Sequence, residues 1–445
     1  MLKGFIRSIK KTKTSQKKSK TAPLIIPRAE HTISRSAINR NALKVLYRLH
    51  EAGFKAYLVG GCVRDLLLGQ TPKDFDIATN ALPEEIRRLF RNCRLIGKRF
   101  RLAHILFGHD IIEVATFRTS HENAKESHGK SHHGMIVRDN VYGTIEDDAV
   151  RRDFRINALY YNIADYSIVD YVGGMQDIKD KVLHMIGDPE KRFHEDPVRL
   201  LRAVRFLAKL NINVTPETEG PLKNLNHLLD NVSPARLFQE VLKIFQGGAT
   251  LATINLLQKY HLMKKLFIYS NAGEALVNIA LANTDQRIGE GKTVSPAFLF
   301  TVILWNSVSE HVLSYEAEGM QTYLAIEKAL QHVIKQQTER LTIPRLMQLS
   351  IREICVLQHR FTYRRGGHPY RLLEHPRFRA GYDLLLLRAA SGEPVQEMAD
   401  WWQEFHVAAP EQREKMLKDM NQKPSPNKRR KSRKPRKKKN TEVVT

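Results

Sequence analysis

AYLVGGCVRDLLLG (56–69), KDFDIAT (73–79), LIGKRFRLAHILF (95–107) and IIEVATF (111–117) follow one another closely, and their reading decides the fold. Ala56 to Val59 is a short apolar run that reads as a buried strand. Gly60-Gly61 follows, where the absence of Cβ lets a ligand approach the backbone. Val63 to Leu68 is a short amphipathic helix with Gly69 as its C-cap. Asp74-Phe75-Asp76 comes next. On a strand, side chains alternate, so both carboxylates point one way while Phe75 and Ile77 face the core. A third acid, Glu113, falls in the strand Ile111 to Phe117. Three carboxylates on adjacent strands beside a glycine turn suit Mg²⁺, with Mn²⁺ as a substitute, together with phosphates.

A lone Asp-x-Asp usually marks a solvated turn, and a lone Gly-Gly is usually only a turn. Strand, Gly-Gly, helix with Arg64-Asp65, paired aspartates and a later strand acid form a much rarer combination. It resembles the class II nucleotidyltransferases, the family of bacterial-type poly(A) polymerases and CCA-adding enzymes. The resemblance runs from roughly Ala37 to Glu393 and is weakest over Asn271 to Gln348. Nucleotidyl transfer needs an activated 3′-hydroxyl and a neutralised pyrophosphate, which two divalent ions roughly 3.5–4 Å apart supply. Asp74 and Asp76 would bridge the ions and Glu113 would complete the site. Gly60 and Gly61 would offer backbone N–H groups to the triphosphate. Arg64 would neutralise phosphate, or equally would be an ordinary arginine on a helix.

Three further blocks carry chemistry. RRDFRINAL (151–159) places Arg151, Arg152, Asp153 and Asn157 at a helix end, suited to phosphate and ribose. Family members carry a similar block, many with Thr where this chain has Arg155. EDPVRLLR (195–202) puts Asp196, Arg199 and Arg202 on one helical face. A carboxylate that only accepts beside a guanidinium that only donates matches the edge of adenine or of cytosine; the bland reading is a Glu195–Arg199 ion pair. In the family this block templates the incoming base, a role carried to Asp196 and Arg199, and less firmly to Glu195 and Arg202. FTYRRGGHPYR (361–371) interleaves aromatics with arginines, as in sites for single-stranded RNA, or forms ordinary basic surface. The block LIGKRFRLAH (95–104) resembles poly(A) polymerases rather than CCA-adding enzymes.

With 445 residues, the chain exceeds one typical domain. Residues 1–20 hold eight Lys/Arg and residues 423–439 eleven, neither with an acid; of the net +25, that leaves +6 for everything else. Such tails read as disordered polyanion binders, and a targeting role for the first is the lesser reading. Cys62, Cys93 and Cys355 show no paired spacing, which fits a reducing compartment. No apolar run reaches a membrane span, Phe298 to Trp305 being too short. His121 to His133 reads as a polar loop over an active site rather than a metal site.

The expected fold is α+β: a basic arm (1–28), a nucleotidyltransferase head with a small mixed sheet (29–187), a helical neck reading base and RNA (188–270), an all-α RNA-binding body (271–420) and a basic tail (421–445). Helices are expected at Ser36–Ala52, Pro83–Arg91, Ile145–Asp153, Glu195–Leu210 and Glu316–Gln336, and a strand at Ile156–Tyr161. The expected activity is template-independent addition of AMP from ATP to RNA 3′ ends, in a bacterial cytoplasm. A tRNA CCA-adding enzyme, or an RNA-binding protein with an inactive head, are the competing readings. Protein partners would come from RNA decay or RNA chaperoning. The sequence does not fix the oligomeric state.

Overall fold

The computed structural model describes residues 22–97, 101–119, 141–270 and 273–422. The basic runs at both ends, Lys98-Arg99-Phe100 and the His121–His133 loop lie outside these residues. The chain divides between Leu266 and Phe267 into two compact units.

The first unit holds an eight-stranded sheet in the order β1-β8-β7-β2-β3-β6-β5-β4. These are β1 (Leu24–Ile26), β2 (Ala56–Val59), β3 (Asp76–Thr79), β4 (Cys93–Ile96), β5 (Leu102–Phe107), β6 (Asp110–Thr116), β7 (Leu159–Asn162) and β8 (Ile168–Asp170). Every neighbouring pair is antiparallel except β3–β6. That parallel pair faces Asp76 with Glu113. Helices α1 (Arg40–Glu51) and α3 (Pro83–Leu89) cover the other side of the sheet, burying Val45, Leu46, Leu49 and Ile86 against Leu58, Ile77 and Ile105. Helix α2 (Gly61–Leu67) follows β2 directly and α4 (Ile145–Arg151) precedes β7. Thr144 caps α4 reciprocally with Asp147, the capping box expected there.

Several expected boundaries move. Helix α1 starts at Arg40 rather than Ser36, because the Asn39 side chain accepts from the N–H groups of Asn41 and Ala42 while Ile38 is buried before it. The expected strand Ile156–Tyr161 begins as a 3₁₀ turn, Arg155–Asn157, before β7. The expected helix Glu195–Leu210 is two helices, α6 (Pro189–Glu195) and α7 (Val198–Leu210), after α5 (Gly174–Asp180) and the short β9 (Val182–Leu183). Asp196 between them is extended (φ −147°, ψ 92°), since Pro197 disfavours a helical residue before it. Strand β10 (Asn213–Val214) and helices α8 (Pro216–Asn224), α9 (Pro234–Phe245), α10 (Thr250–Lys259) and α11 (Met263–Leu266) complete the unit.

The second unit is helical among the described residues: α12 (Glu274–Gly289), α13 (Pro296–Ala317), α14 (Thr322–Arg340), α15 (Arg345–Arg360), α16 (His368–Leu373), α17 (Phe378–Ala390), α18 (Gln396–Val407) and α19 (Pro410–Gln422). Gly319, at φ +91°, separates α13 from α14 within the helix expected to run unbroken from Glu316. By length and mean hydropathy α13 could cross a membrane, extending the apolar run past Trp305. Phe300, Val302, Ile303 and Leu304 are nonetheless core residues here. The aromatics of 361–379 also turn inward: Phe361 and Phe378 pack on Trp402, and Tyr370 on Phe405. Tyr363 is the aromatic of that run left exposed.

Within the first unit, α7 attaches to the sheet through one carboxylate. Asp153 Oδ2 accepts from Arg202 Nε at 2.7 Å and lies 2.6 Å from its Nη2, while Oδ1 accepts from the Phe154 N–H and Asn157 Nδ2. Burial opposes ionisation of Asp153, but Arg202 first, then these N–H groups, hold it at about 2. Asp148, buried under Arg152 and Arg151, is likewise held at about 2. Both values lie below the unfolded carboxylate, about 4, so their stabilisation is complete above pH ~4 and lost as pH falls through ~2. Asp153→Ala should therefore cost ~3 kcal/mol at pH 7 by stranding Arg202, and the deficit should shrink towards pH 2; urea melts across that range measure it.

Candidate active site

The strand register places the acids. Asp76 opens β3 opposite Glu113 of β6, Glu113 faces His104 of β5, and His104 faces Arg94 of β4. One row of four side chains thus crosses the open face of the sheet. Asp74 lies just before β3 rather than on it, yet the alternation holds: Asp74 and Asp76 are exposed while Phe75 and Ile77 are buried. His104 Nε2 is 3.2 Å from Glu113 Oε1, a neighbour that the sequence reading missed. Only the β5–β6 register exposes it.

The acids repel one another. The chain packed around Asp76 first, then Glu113 and Asp74, raise its carboxyl to about 6, against the pull of Arg152. Its oxygen edge remains exposed to solvent although the surrounding chain is dense. Among the described residues no three acid, thiol or imidazole groups converge tightly enough to cage an ion alone. The hard oxygen donors and their repulsion fit a cation whose remaining ligands are phosphate and water, as Mg²⁺ prefers.

Gly60 turns the chain beside the acids. Its φ of +82° and ψ of −133° belong to glycine, and a Cβ there would sit 3.4 Å from Arg152 Nη1. Gly61 is the first residue of α2. Arg152 uses Nε and Nη2 on Asp148 and lies 5.4 Å above the Tyr160 ring. Arg151 binds the other Asp148 oxygen. Asp148 and Tyr160, whose hydroxyl donates to Asp148 at 2.8 Å, are supports that the sequence did not flag.

Arg64 is buried, with Nη2 on Asp65 Oδ1 and Nη1 on Asn157 Oδ1, both at 2.6 Å. Asn157 passes the chain of contacts to Asp153 and so to Arg202. Arg64, Asn157, Asp153 and Arg202 therefore form one buried line under the glycine turn. Arg192 of α6, also unanticipated, donates to the carbonyls of Arg151 and Arg152 at 2.6 and 2.5 Å, closing the C-terminus of α4.

The expected common face of Asp196, Arg199 and Arg202 does not form, because Asp196 sits in the Pro197 bend and Arg202 turns to Asp153. The Glu195–Arg199 pair does form, at 3.1 Å. Asp196 instead meets Arg236 of α9, whose Nη2 donates to Oδ2 at 3.1 Å and lies 3.0 Å from the buried Oδ1. Arg199 is buried and spends only Nη1 there, on Glu195 and on the Arg192 carbonyl.

This arrangement has close relatives. Residues 56–184 match the poly A polymerase head domain, 211–271 the probable RNA and SrmB-binding site of polymerase A, and 318–438 the polymerase A arginine-rich C-terminus. The poly(A) polymerase I of Escherichia coli is 49% identical over 93% of this chain and 92% of its own. The chain belongs to the bacterial poly(A) polymerase family. Its members are nucleotidyltransferases, and so is this chain. The CCA-adding enzyme of Lactobacillus helveticus is 40% identical but pairs with only 46% of this chain and 50% of its own. The structure of the Bacillus stearothermophilus CCA-adding enzyme in complex with CTP superposes with a TM-score of 0.55 at 25% identity, covering 81% of this chain and 80% of its own. The poly(A) polymerase resemblance thus continues through the second unit.

A raised Asp76 costs the fold stability: the unfolded state loses its proton at about 4, so stability falls as pH rises from ~4 through ~6. After allowance for solvent screening, Asp76→Asn should gain ~1 kcal/mol at pH 8 without divalent ions. The gain should vanish at pH 4. Thermal melts at the two pH values check both the sign and the window. Calorimetry in two buffers should also find protons released when Mg²⁺ binds the wild-type protein near pH 6, and fewer near pH 8.

Proposed function

We propose that this chain is a template-independent poly(A) polymerase that transfers AMP from ATP to RNA 3′ ends and releases pyrophosphate. The observation that carries the reading is the Asp76–Glu113 pair beside the Gly60 turn, in a chain that matches poly(A) polymerases over nine-tenths of its length. Asp74, Asp76 and Glu113 would hold the Mg²⁺ ions. When bound, these supply charge neutralisation at the α-phosphate and pyrophosphate and lower the pKa of the attacking hydroxyl.

The chain's own residues do the rest. Gly60 and Gly61 leave the backbone open for the triphosphate, and Arg152, braced on Asp148, presents a cation beside it. Arg64 acts through position: with its guanidinium on Asp65 and Asn157, it braces the glycine turn instead of meeting phosphate. Asp153 and Arg202 fix α7 against this floor. Arg151 and Arg155 flank the same block. His104, 3.2 Å from Glu113, would orient its carboxylate.

The base would be read by Asp196 and Arg199. Asp196 presents a carboxylate held by Arg236 Nη2, and Arg199 has Nε and Nη2 donors beyond the Nη1 used on its own chain. An acceptor beside donors matches N6 and N1 of adenine. Arg236, paired with Asp196, would hold the carboxylate in place. In this reading residues 29–187 are the head, 188–270 the base-reading neck and 271–420 the RNA-binding body. The compartment would be a bacterial cytoplasm. The basic run at 423–439 would add salt-sensitive RNA affinity.

Primer extension tests the reading. Labelled RNA ending in A should give long ladders with ATP and Mg²⁺, and none with CTP, GTP or UTP. Addition of one to three residues to a tRNA lacking its end, needing CTP and then ATP, would replace it with CCA addition. Asp74→Ala or Asp76→Ala should abolish extension with melting behaviour intact. Asp196→Ala should cost ~10²-fold in kcat/KM for ATP and narrow the preference for ATP over CTP, since a buried pairing group is lost.

A further inference from the structure

The side of the sheet away from the acids carries an unassigned cationic face. Arg40, Lys44 and Arg48 recur every fourth residue on α1, so they form one line with a rise of about 6 Å between neighbours. All three are exposed, and among the described residues none meets a carboxylate. They are not loose. Lys44 lies 6.0 Å over the Phe107 ring and Arg48 lies 5.3 Å over Phe90 at the end of α3. The Phe90 contact carries the line on to Arg87 and Arg91, which are exposed as well. Tyr47 stands between Lys44 and Arg48, with its hydroxyl on Arg35 Nη1 at 3.1 Å.

An open depression of about 660 Å³ follows this line, bounded by Arg40, Leu43, Lys44, Tyr47, Arg48 and Glu51. Glu51 is the one carboxylate in its wall. The nearby Asp110 is held by the side-chain amides of Asn39 and Asn41. By strand parity the acids Asp76 and Glu113 point to the opposite side, since α1 packs on Ile77 and Leu58.

Evenly spaced cations, two of them seated on rings and all three without a carboxylate partner among the described residues, are preorganised for a partner with evenly spaced negative charge. The depression offers no large exposed aliphatic anchor, as a protein interface would require at its centre. A polynucleotide backbone meets the description, and Tyr47 supplies a face for one base. We propose that α1 and the adjoining end of α3 form a second RNA-backbone site that holds phosphates of the transcript upstream of its 3′ end. This rests on the chain acting on RNA. It adds that grip on the RNA comes from both sides of the sheet, so affinity depends on transcript length.

The test uses the full chain with Arg40→Gln, Lys44→Gln and Arg48→Gln combined, and a second variant, Arg40→Lys with Arg48→Lys, that keeps the charge. Binding by fluorescence anisotropy and extension with ATP are measured on RNAs of about 8 and about 40 nucleotides ending in A. For the long RNA, the glutamine variant should lose ~10-fold in affinity at low salt, and its slope of log K against log salt should flatten by ~2, three single-strand contacts at ~0.7 each. The lysine variant should keep the slope, and extension of the short RNA should be unchanged in both. An unaltered long-RNA slope, or equal weakening at both lengths, overturns the second site. Failure of the unmodified protein to extend the short RNA with ATP would instead overturn the poly(A) reading, which the anisotropy slopes do not depend on.

Discussion

The arrangement depends on one buried carboxylate. Asp153 takes three hydrogen bonds, two from its own turn and one from Arg202 Nε on α7, with Arg202 Nη2 2.6 Å away as its counter-charge. A buried ion is tolerated only when its lone pairs are filled and a counter-charge is fixed nearby. Here the filling groups belong to different elements. Through Asn157 the contact reaches Arg64 and the glycine turn; through Arg202 it reaches the helix that carries Arg199. The glycine turn and α7 are therefore held by the same charge. A shift of α7 would leave both ions unpaired, which gives the site its rigidity.

The acids at β3 and β6 follow the opposite logic. Their charges are close and exposed on one edge, and His104 beside Glu113 and the pull of Arg152 on Asp76 do not cancel the repulsion. Repulsion that would be a defect in a structural protein suits the divalent ion proposed for this site. The parallel β3–β6 pair supplies the closeness, because it aligns Asp76 with Glu113 directly. Stability lost at the acids is offset by the paired carboxylates Asp148 and Asp153, held low while Asp76 is held high.

Much of this was legible in the residues. The alternation across Asp74-Phe75-Asp76, the Gly60 turn and the capping box at Thr144 act over a few residues, so local sequence determines them. The Pro197 bend was equally local, yet the amphipathic pattern across it masks the break, and Asp196 lands in a bend rather than on a helix. The aromatics of 361–379 were ambiguous because rings interleaved with arginines serve a core and an RNA surface alike; packing on Trp402 and Phe405 turned most of them inward. His104 and Arg192 carried no local signal, since each acts on a residue remote in sequence.

The sequence by itself determined most of the elements, the alternation around Asp74-Phe75-Asp76, the glycine turn and the family. Those follow from period, φ preference and charge, which neighbouring residues set. The tertiary structure alone decided how the charges are spent. In one dimension Arg64 reads as a phosphate ligand or a surface arginine and Arg202 as part of the base-templating block, but the fold pairs them with Asp65, Asn157 and Asp153. Conversely, Arg40, Lys44 and Arg48 look like ordinary helix surface, and only the packing of α1 leaves them unpaired in a line. Which charges meet depends on long-range register, and a chain read in order carries no measure of that distance.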